Sequence, residues 1–284
     1  MYRTLIDVAT LGGMLQGDNC CLLDCRFSLA DPGQGRAAWA AGHIPGAVYA
    51  HLDDDLSGEI RPGVTGRHPL PPRDELARRL GQWGIDADTQ VVAYDDAGGA
   101  IAARCWWLLR WLGHDAVAVL DGGWPAWLAA GGAQSCEPPR RAPAQFVPRQ
   151  PLLAAVDADE VARASAAGDR LLLDARDPAR FRGEVEPLDP IAGHIPGARC
   201  APFAGNLADG AFRPVDELRA RHTALLGGAA IEDVICYCGS GVTAAHNVLA
   251  MQHAGLGAPA LYPGSWSEWV ADPARPVAQG DSEG

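Results

Sequence analysis

The 284-residue chain is expected to fold as two tandem α/β domains, each a parallel sheet flanked by helices. Two observations predict this. The first is an internal repeat. Ala41-Gly42-His43-Ile44-Pro45-Gly46-Ala47 returns as Ala192-Gly193-His194-Ile195-Pro196-Gly197-Ala198. Leu22-Leu23-Asp24-Cys25-Arg26 returns as Leu172-Leu173-Asp174-Ala175-Arg176, and Val91-Val92-Ala93-Tyr94 as Val234-Ile235-Cys236-Tyr237. Gly122-Gly123-Trp124-Pro125-Ala126-Trp127 returns as Gly264-Ser265-Trp266-Ser267-Glu268-Trp269. Four blocks in one order at near-constant spacing mark a duplicated globular domain, since solenoid repeats are far shorter, roughly 20–50 residues. The second observation is that short apolar runs alternate with helix-period segments in each half, the pattern of βαβ units.

In the first half, residues 22–24, 91–94 and 117–120 read as buried strands. Residues 101–112 read as a helix, with Trp106, Trp107, Leu109 and Trp111 among its apolar positions. The second half repeats the order: strands over 171–174 and 234–237, a helix over 243–253, then a strand over 260–262. Proline fixes φ and removes a donor, so the proline-rich stretch over 139–151 is expected to be an extended linker. That assigns residues 1–138 to one domain and 152–284 to the other.

Composition narrows the function. Hydrophobic residues at 48% supply two cores, and charged residues are held to 20%. The formal net charge of −12 argues against nucleic acid or anionic membrane as a partner, since both select basic stripes. All 23 basic residues are arginine. Without lysine there is no Schiff base, no pyridoxal phosphate attachment and no Walker A phosphate loop. No apolar run is long enough to span a bilayer, and Asp7 interrupts the only candidate signal segment, so a cytoplasmic location is expected. The 8 cysteines are then expected as free thiols. Their spacing, Cys20-Cys21-x3-Cys25 and Cys236-x-Cys238, is not that of a zinc knuckle, and neither a metal nor a cofactor is called for.

Ligands of parallel sheets sit at the carboxyl ends of strands. After the strand ending at Tyr237 comes Cys238-Gly239-Ser240-Gly241-Val242-Thr243, and then a helix. Glycines let the loop curl so that several N–H groups converge, and the helix N-terminus adds positive potential. Both favour a thiolate at Cys238 and an anion bound beside it. Cys236, inside the strand, reads as core packing. The spacing that aligns Tyr94 with Tyr237 puts Asp95 where Cys238 stands. A carboxylate cannot do thiolate chemistry, so the first half carries the architecture without the nucleophile. Its loop lacks the Cys-Gly-Ser-Gly order, so its N–H groups need not converge.

From about Leu5 to Trp269 these blocks resemble the tandem-domain rhodanese family, the thiosulfate and 3-mercaptopyruvate sulfurtransferases. The resemblance implies two rhodanese-like domains with the second one active. It implies a ping-pong reaction, in which Cys238 takes a sulfane sulfur from a small-molecule donor and passes the persulfide sulfur to a thiol, thioredoxin or cyanide. The neutral Gly239 and Ser240 resemble the 3-mercaptopyruvate type more than the thiosulfate type. Arg180 matches the first of the two arginines with which that type holds the donor carboxylate. Leu188 stands in the region of the second. With the N–H groups of Gly239, Gly241, Val242 and Thr243, Arg180 completes the expected donor-binding set. The resemblance also implies a serine relay, in which Ser240 bonds a first-domain histidine, here matched to His43, with Asp31 the nearest match to the relay aspartate. A second reading makes Ser240 and His43 backbone-satisfying groups of tight turns, because His194 repeats His43 with no chemistry attached. Pro263 departs from the aspartate usual before Gly-Ser-Trp, and Trp266 is expected to pack near the loop.

Three alternatives stand beside this reading. A cysteine phosphatase needs Cys-x5-Arg to clamp phosphate, and position 244 is Ala244. A cysteine acyl-hydrolase needs a histidine base, and His246, inside the following helix, reads as solvent-facing. A non-catalytic binding module would have no use for Cys238.

Overall fold

A computed structural model describes residues 1–281 apart from Gln16 and Asp18. The chain forms two compact units, one of residues 1–58, 71–152 and 209–212, the other of residues 59–70, 153–208 and 213–284. This departs from a single cut at the linker: residues 59–70 pack with the second unit and 209–212 with the first. The linker itself runs extended and is pinned to the first unit. Ala144 N donates to Gly81 O at 2.8 Å and Arg149 N to Leu112 O at 2.8 Å. Both acceptors lie at helix C-termini, where carbonyls lack partners within the helix.

The first unit holds β1 (Leu5–Ile6), β2 (Cys20–Asp24), β3 (Val48–Tyr49), β4 (Gln90–Tyr94) and β5 (Val117–Leu120). They form one sheet in the order β1-β5-β4-β2-β3, with every pairing parallel. The second unit holds β6 (Leu171–Asp174) and β7 (Ala198–Cys200). Two short strands, β8 (Leu207–Ala208) and β9 (Ala211–Phe212), follow in sequence, then β10 (Val234–Tyr237) and β11 (Ala260–Leu261). The order β11-β10-β6-β7 is again parallel throughout. Strands β4 and β10 are buried along their whole length, as expected of interior strands covered on both faces. The helices Ala102–Trp111 and Thr243–His253 follow them and are buried almost all round. His246 lies on the second of these at 0% exposure and accepts from Asn206 Nδ2 at 3.1 Å. It is a core histidine and not the solvent-facing one expected, because this helix has no solvent face in its central turns.

The repeated blocks fold into one unit of structure in each half. Arg26 forks onto Asp24, with Nη2–Oδ2 at 2.6 Å, and donates to Gly42 O at 2.7 Å. Arg176 does the same to Asp174 at 2.6 Å and Gly193 O at 2.6 Å. The guanidinium of Arg26 lies 4.7 Å from the Trp124 ring centroid, and that of Arg176 4.6 Å from Trp266. The Tyr94 and Tyr237 hydroxyls accept from Ile44 N at 3.2 Å and Ile195 N at 3.1 Å. One bidentate arginine thus ties together three of the repeated blocks, the tyrosine hydroxyl joins the fourth, and both charges of each ion pair are satisfied in the core. This explains why the blocks recur in a half that lacks the cysteine: they hold the sheet ends, whatever the loop contains.

All 8 cysteines are free thiols. Among the described residues no helix is long and apolar enough to cross a membrane, and no group of three or more His, Cys, Asp or Glu is arranged to hold a metal.

Candidate active site

Strand β10 delivers Cys238 to the carboxyl edge of the second sheet, where it is 2% exposed. Its backbone is fixed from both sides. Cys238 N donates to Ser265 Oγ at 3.0 Å, and Cys238 O accepts from Trp266 N at 2.9 Å. Ser265 occupies the left-handed region at φ 55°, where a side chain is disfavoured. Its hydroxyl offsets that strain by accepting from Cys238 and donating to Tyr262 O at 2.8 Å. Gly241 N points at Cys238 Sγ at 3.1 Å. Gly241 has φ +74°, and a Cβ there would lie 2.2 Å from Pro263 O, so only glycine lets the loop close. Val242 then caps the helix Thr243–His253 without a side-chain hydrogen bond. No side chain of the capping residue therefore closes the helix N-terminus, which begins at Thr243 beside the loop that carries the sulfur. Cys236 is fully buried in β10, and burial pushes its thiol well above the ordinary cysteine range.

The first-half loop shows what such a cradle holds. Asp95 Oδ1 accepts from Ala97 N and Gly99 N, and Oδ2 from Ile101 N and Ala102 N, all at 2.8 Å. The N–H groups therefore converge in the first half as well, which the loop sequence did not require. The glycine order of the active loop is not required for it. A loop–helix junction after a buried strand is enough, and an internal carboxylate fills it.

Ser240 is 6% exposed, and its Oγ lies 2.7 Å from Nδ1 of His68. His68, not His43, is the histidine on this serine. His43 sits in the first unit with Nδ1 2.8 Å from Trp39 O and Nε2 3.0 Å from Glu137 O. Its ring stacks on Trp39 at 4.6 Å. His194 repeats this placement, with Nδ1 2.8 Å from Phe181 O and its ring stacked on Phe181 at 3.8 Å. The Gly-His-Ile-Pro-Gly histidines are turn-holding residues in both halves, and the sequence match pointed to the wrong one. Asp31 Oδ1 accepts from Gly33 N at 3.1 Å, an ordinary turn contact.

Arg180 stands beside the loop, as expected. Its Nη2 is 2.7 Å from Glu186 Oε1 and 3.4 Å from Asp189 Oδ2. Leu188 is exposed, and its N–H donates to Glu186 Oε1 at 3.1 Å, so its side chain offers the loop nothing. A second guanidinium nonetheless arrives from residues 59–70. Arg67 bonds Asp189 through Nη1, and its backbone N–H donates to Ser267 Oγ at 3.1 Å. A Cβ on Gly239 would lie 3.0 Å from Arg67 Nη2 and 3.5 Å from Arg180 Nη1. Trp266 is fully buried, and its Nε1 donates to Ile191 O at 2.9 Å. His68, Arg67, Ser265 and Asp189 escaped the sequence reading. Residues 59–70 carry no strand or helix period, and their pairing with a loop some 170–200 positions away leaves no local mark.

Residues 7–130 and 157–272 each match the Rhodanese-like domain family. A Pseudomonas aeruginosa protein named a probable 3-mercaptopyruvate sulfurtransferase is 50% identical over 98% of both chains. A Mycobacterium tuberculosis protein provisionally named a thiosulfate sulfurtransferase is 45% identical over 98% of both. The crystal structure of a 3-mercaptopyruvate sulfurtransferase from Escherichia coli superposes with a TM-score of 0.80 at 30% identity, covering 94% of this chain and 100% of that one. With two matched domains, a shared fold and full-length relatives, the chain belongs to the rhodanese-like family, among its two-domain sulfurtransferases.

Proposed function

We propose that this sulfurtransferase takes its sulfur from 3-mercaptopyruvate, with Cys238 as the nucleophile and the Ser240–His68 pair as the proton relay. The Cys238 thiolate attacks the thiol sulfur of the donor. The carbon–sulfur bond breaks, its electron pair remains on carbon as the enolate of pyruvate, and Cys238 carries the persulfide –S–SH. The Ser240 hydroxyl gives the enolate its proton, and His68 reprotonates the serine. The persulfide ionises, held by the loop N–H groups of Gly239, Gly241, Val242 and Thr243 near the helix N-terminus. An acceptor thiol, thioredoxin or cyanide then attacks the outer sulfur and restores the thiolate. Arg180 holds the donor carboxylate. Thiosulfate is a slower donor in this reading, and the enzyme works in the cytoplasm.

The observation that carries the donor assignment is the 2.7 Å contact between Ser240 Oγ and His68 Nδ1. Thiosulfate leaves as sulfite and needs no proton; a departing enolate does. Mass spectrometry of Cys238 after incubation with each donor tests the persulfide, which Cys238→Ser is expected to abolish and Cys236→Ser to spare. Ser240→Ala and His68→Ala are expected to lower kcat with 3-mercaptopyruvate by about a hundredfold. With thiosulfate the change is expected within about threefold, since that reaction has no general-acid step to lose. Equal losses with both donors would overturn the relay, and a clear thiosulfate preference in the wild type would overturn the donor.

A further inference from the structure

Two guanidinium groups and one carboxylate meet beside the residue that follows the nucleophile. Arg67 Nη1 is bonded to one oxygen of Asp189, and Arg180 Nη2 lies 3.4 Å from the other. Both guanidiniums also face the bare backbone of Gly239, at the 3.0 and 3.5 Å that a Cβ there would meet. A carboxylate with an arginine on each oxygen, beside the residue that follows Cys238, has the arrangement that an α-keto acid donor would need. Here an internal side chain supplies that carboxylate. We propose that Arg67 and Arg180 together form the anion seat for the sulfur donor, and that Asp189 occupies this seat until the donor displaces it. The proposal rests on the sulfurtransferase reading above and names the residues that set its donor affinity.

Charge and burial support displacement over a fixed structural pair. Arg67 and Arg180 are balanced by Glu186 and Asp189, and Arg176 by Asp174, so the seat has no surplus positive charge while Asp189 is in place. An incoming anion would then crowd three negative groups onto two arginines unless one carboxylate left. Glu186 is the worse candidate to leave. It is bound by Arg180 Nε and Nη2, by Arg176 at 3.4 Å and by the N–H groups of Leu188 and Asp189. Among the described residues the Asp189 side chain bonds only the two guanidiniums, and its backbone N–H is anchored on Glu186, so a side-chain rotation suffices to vacate the seat. Its carboxylate is 4% exposed, whereas Arg67 and Arg180 are 27% and 17% exposed and open to an arriving ligand. Burial raises the Asp189 carboxyl above its ordinary value, despite the lowering by Arg67, so its charged form is disfavoured in place. Arg67 is further underused: its Nε is buried and has no hydrogen-bond partner. Arg67 also explains how Leu188 is tolerated, since the second cation comes from another segment.

Steady-state kinetics with 3-mercaptopyruvate and with thiosulfate, on wild type, Asp189→Asn and Arg67→Gln, test this. Asp189→Asn keeps the shape and removes the competing charge. It is expected to lower KM for both donors by about tenfold, with kcat within about twofold. Arg67→Gln is expected to raise KM by about tenfold to a hundredfold. Pyruvate, used as a competitive inhibitor without transferable sulfur, should shift its inhibition constant in the same direction as KM in each variant. A fixed structural role for Asp189 predicts the opposite: Asp189→Asn would loosen Arg67 and raise KM, and that result, or an unchanged KM, overturns the seat. Should the wild type form no persulfide on Cys238, the fault would lie with the functional reading. Persulfide formation with unmoved KM values places it in the seat alone.

Discussion

Asp95 and Cys238 stand at equivalent ends of β4 and β10, and the difference between them separates the two halves chemically. Four backbone N–H groups at 2.8 Å satisfy the Asp95 carboxylate, which is 1% exposed. Each charge-assisted bond contributes about 1.5–3 kcal/mol, and removing the acceptor leaves buried donors unpaired. Asp95→Ala is therefore expected to destabilise the protein by at least about 3 kcal/mol, read as a lowered urea midpoint. A loss below about 1 kcal/mol would mean that water replaces the carboxylate freely. Asp95→Cys places a thiol in a cradle that is already formed, yet Ala97 stands where the second half has Ser240. It is expected to add no turnover with 3-mercaptopyruvate. At this scale the sequence was legible where chemistry and position are both local: Cys238, its glycines and the silent Asp95 follow one another along the chain. His43 was misassigned because a histidine inside a recurring motif carries a strong local signal. His68, the actual partner of Ser240, sits in the unpatterned run Gly66-Arg67-His68-Pro69.

The elements were readable in proportion to their burial. Strands β4 and β10 are covered on both faces and show as continuous apolar runs, and the two buried helices after them are equally plain. Short edge strands such as β1 and β7 leave too few residues for a period to appear. The helix Val215–Leu226 raises a different question, since it buries His222 completely with neither ring nitrogen bonded. Burial, with Arg221 and His246 nearby, lowers the His222 pKa to about 4. A folded pKa below the unfolded value of about 6.5 means that the unfolded chain binds the extra proton first. The contribution is thus fully present above about pH 6.5 and is lost as pH falls toward 4. Across that window it amounts to about 3 kcal/mol, at 1.36 kcal/mol per pKa unit. Chemical denaturation at pH 7 and pH 4.5 is expected to show a smaller loss for His222→Leu than for wild type. Parallel losses in the two proteins would mean that His222 is solvated on this timescale.

Duplication alone does not describe the whole molecule, because the second unit takes residues 59–70 from the amino-terminal half of the sequence. That segment carries Arg67 and His68, and with them the second guanidinium and the partner of Ser240. A repeat reading assigns each half its own residues, so it could not foresee this borrowing; only the packing of Gly66 and Arg67 against Gly264 and Ser267 reveals it. The consequence can be tested by truncation. A fragment of residues 139–284 keeps β6, β7, β10, β11, the Cys238 loop, Arg180 and Asp189, and loses residues 59–70. It is expected to lose at least about a hundredfold in kcat/KM for 3-mercaptopyruvate, the combined effect of a missing anion contact and a missing relay. If those two side chains are what the amino-terminal half supplies to the chemistry, full-length Arg67→Gln/His68→Ala should show a loss of comparable size. Circular dichroism of the fragment separates a folded, impaired enzyme from an unfolded one, and the double variant carries the test if the fragment does not fold. Full turnover in a folded fragment, or in the double variant, would show that the carboxyl-terminal half completes its own site and that the borrowed segment serves packing only.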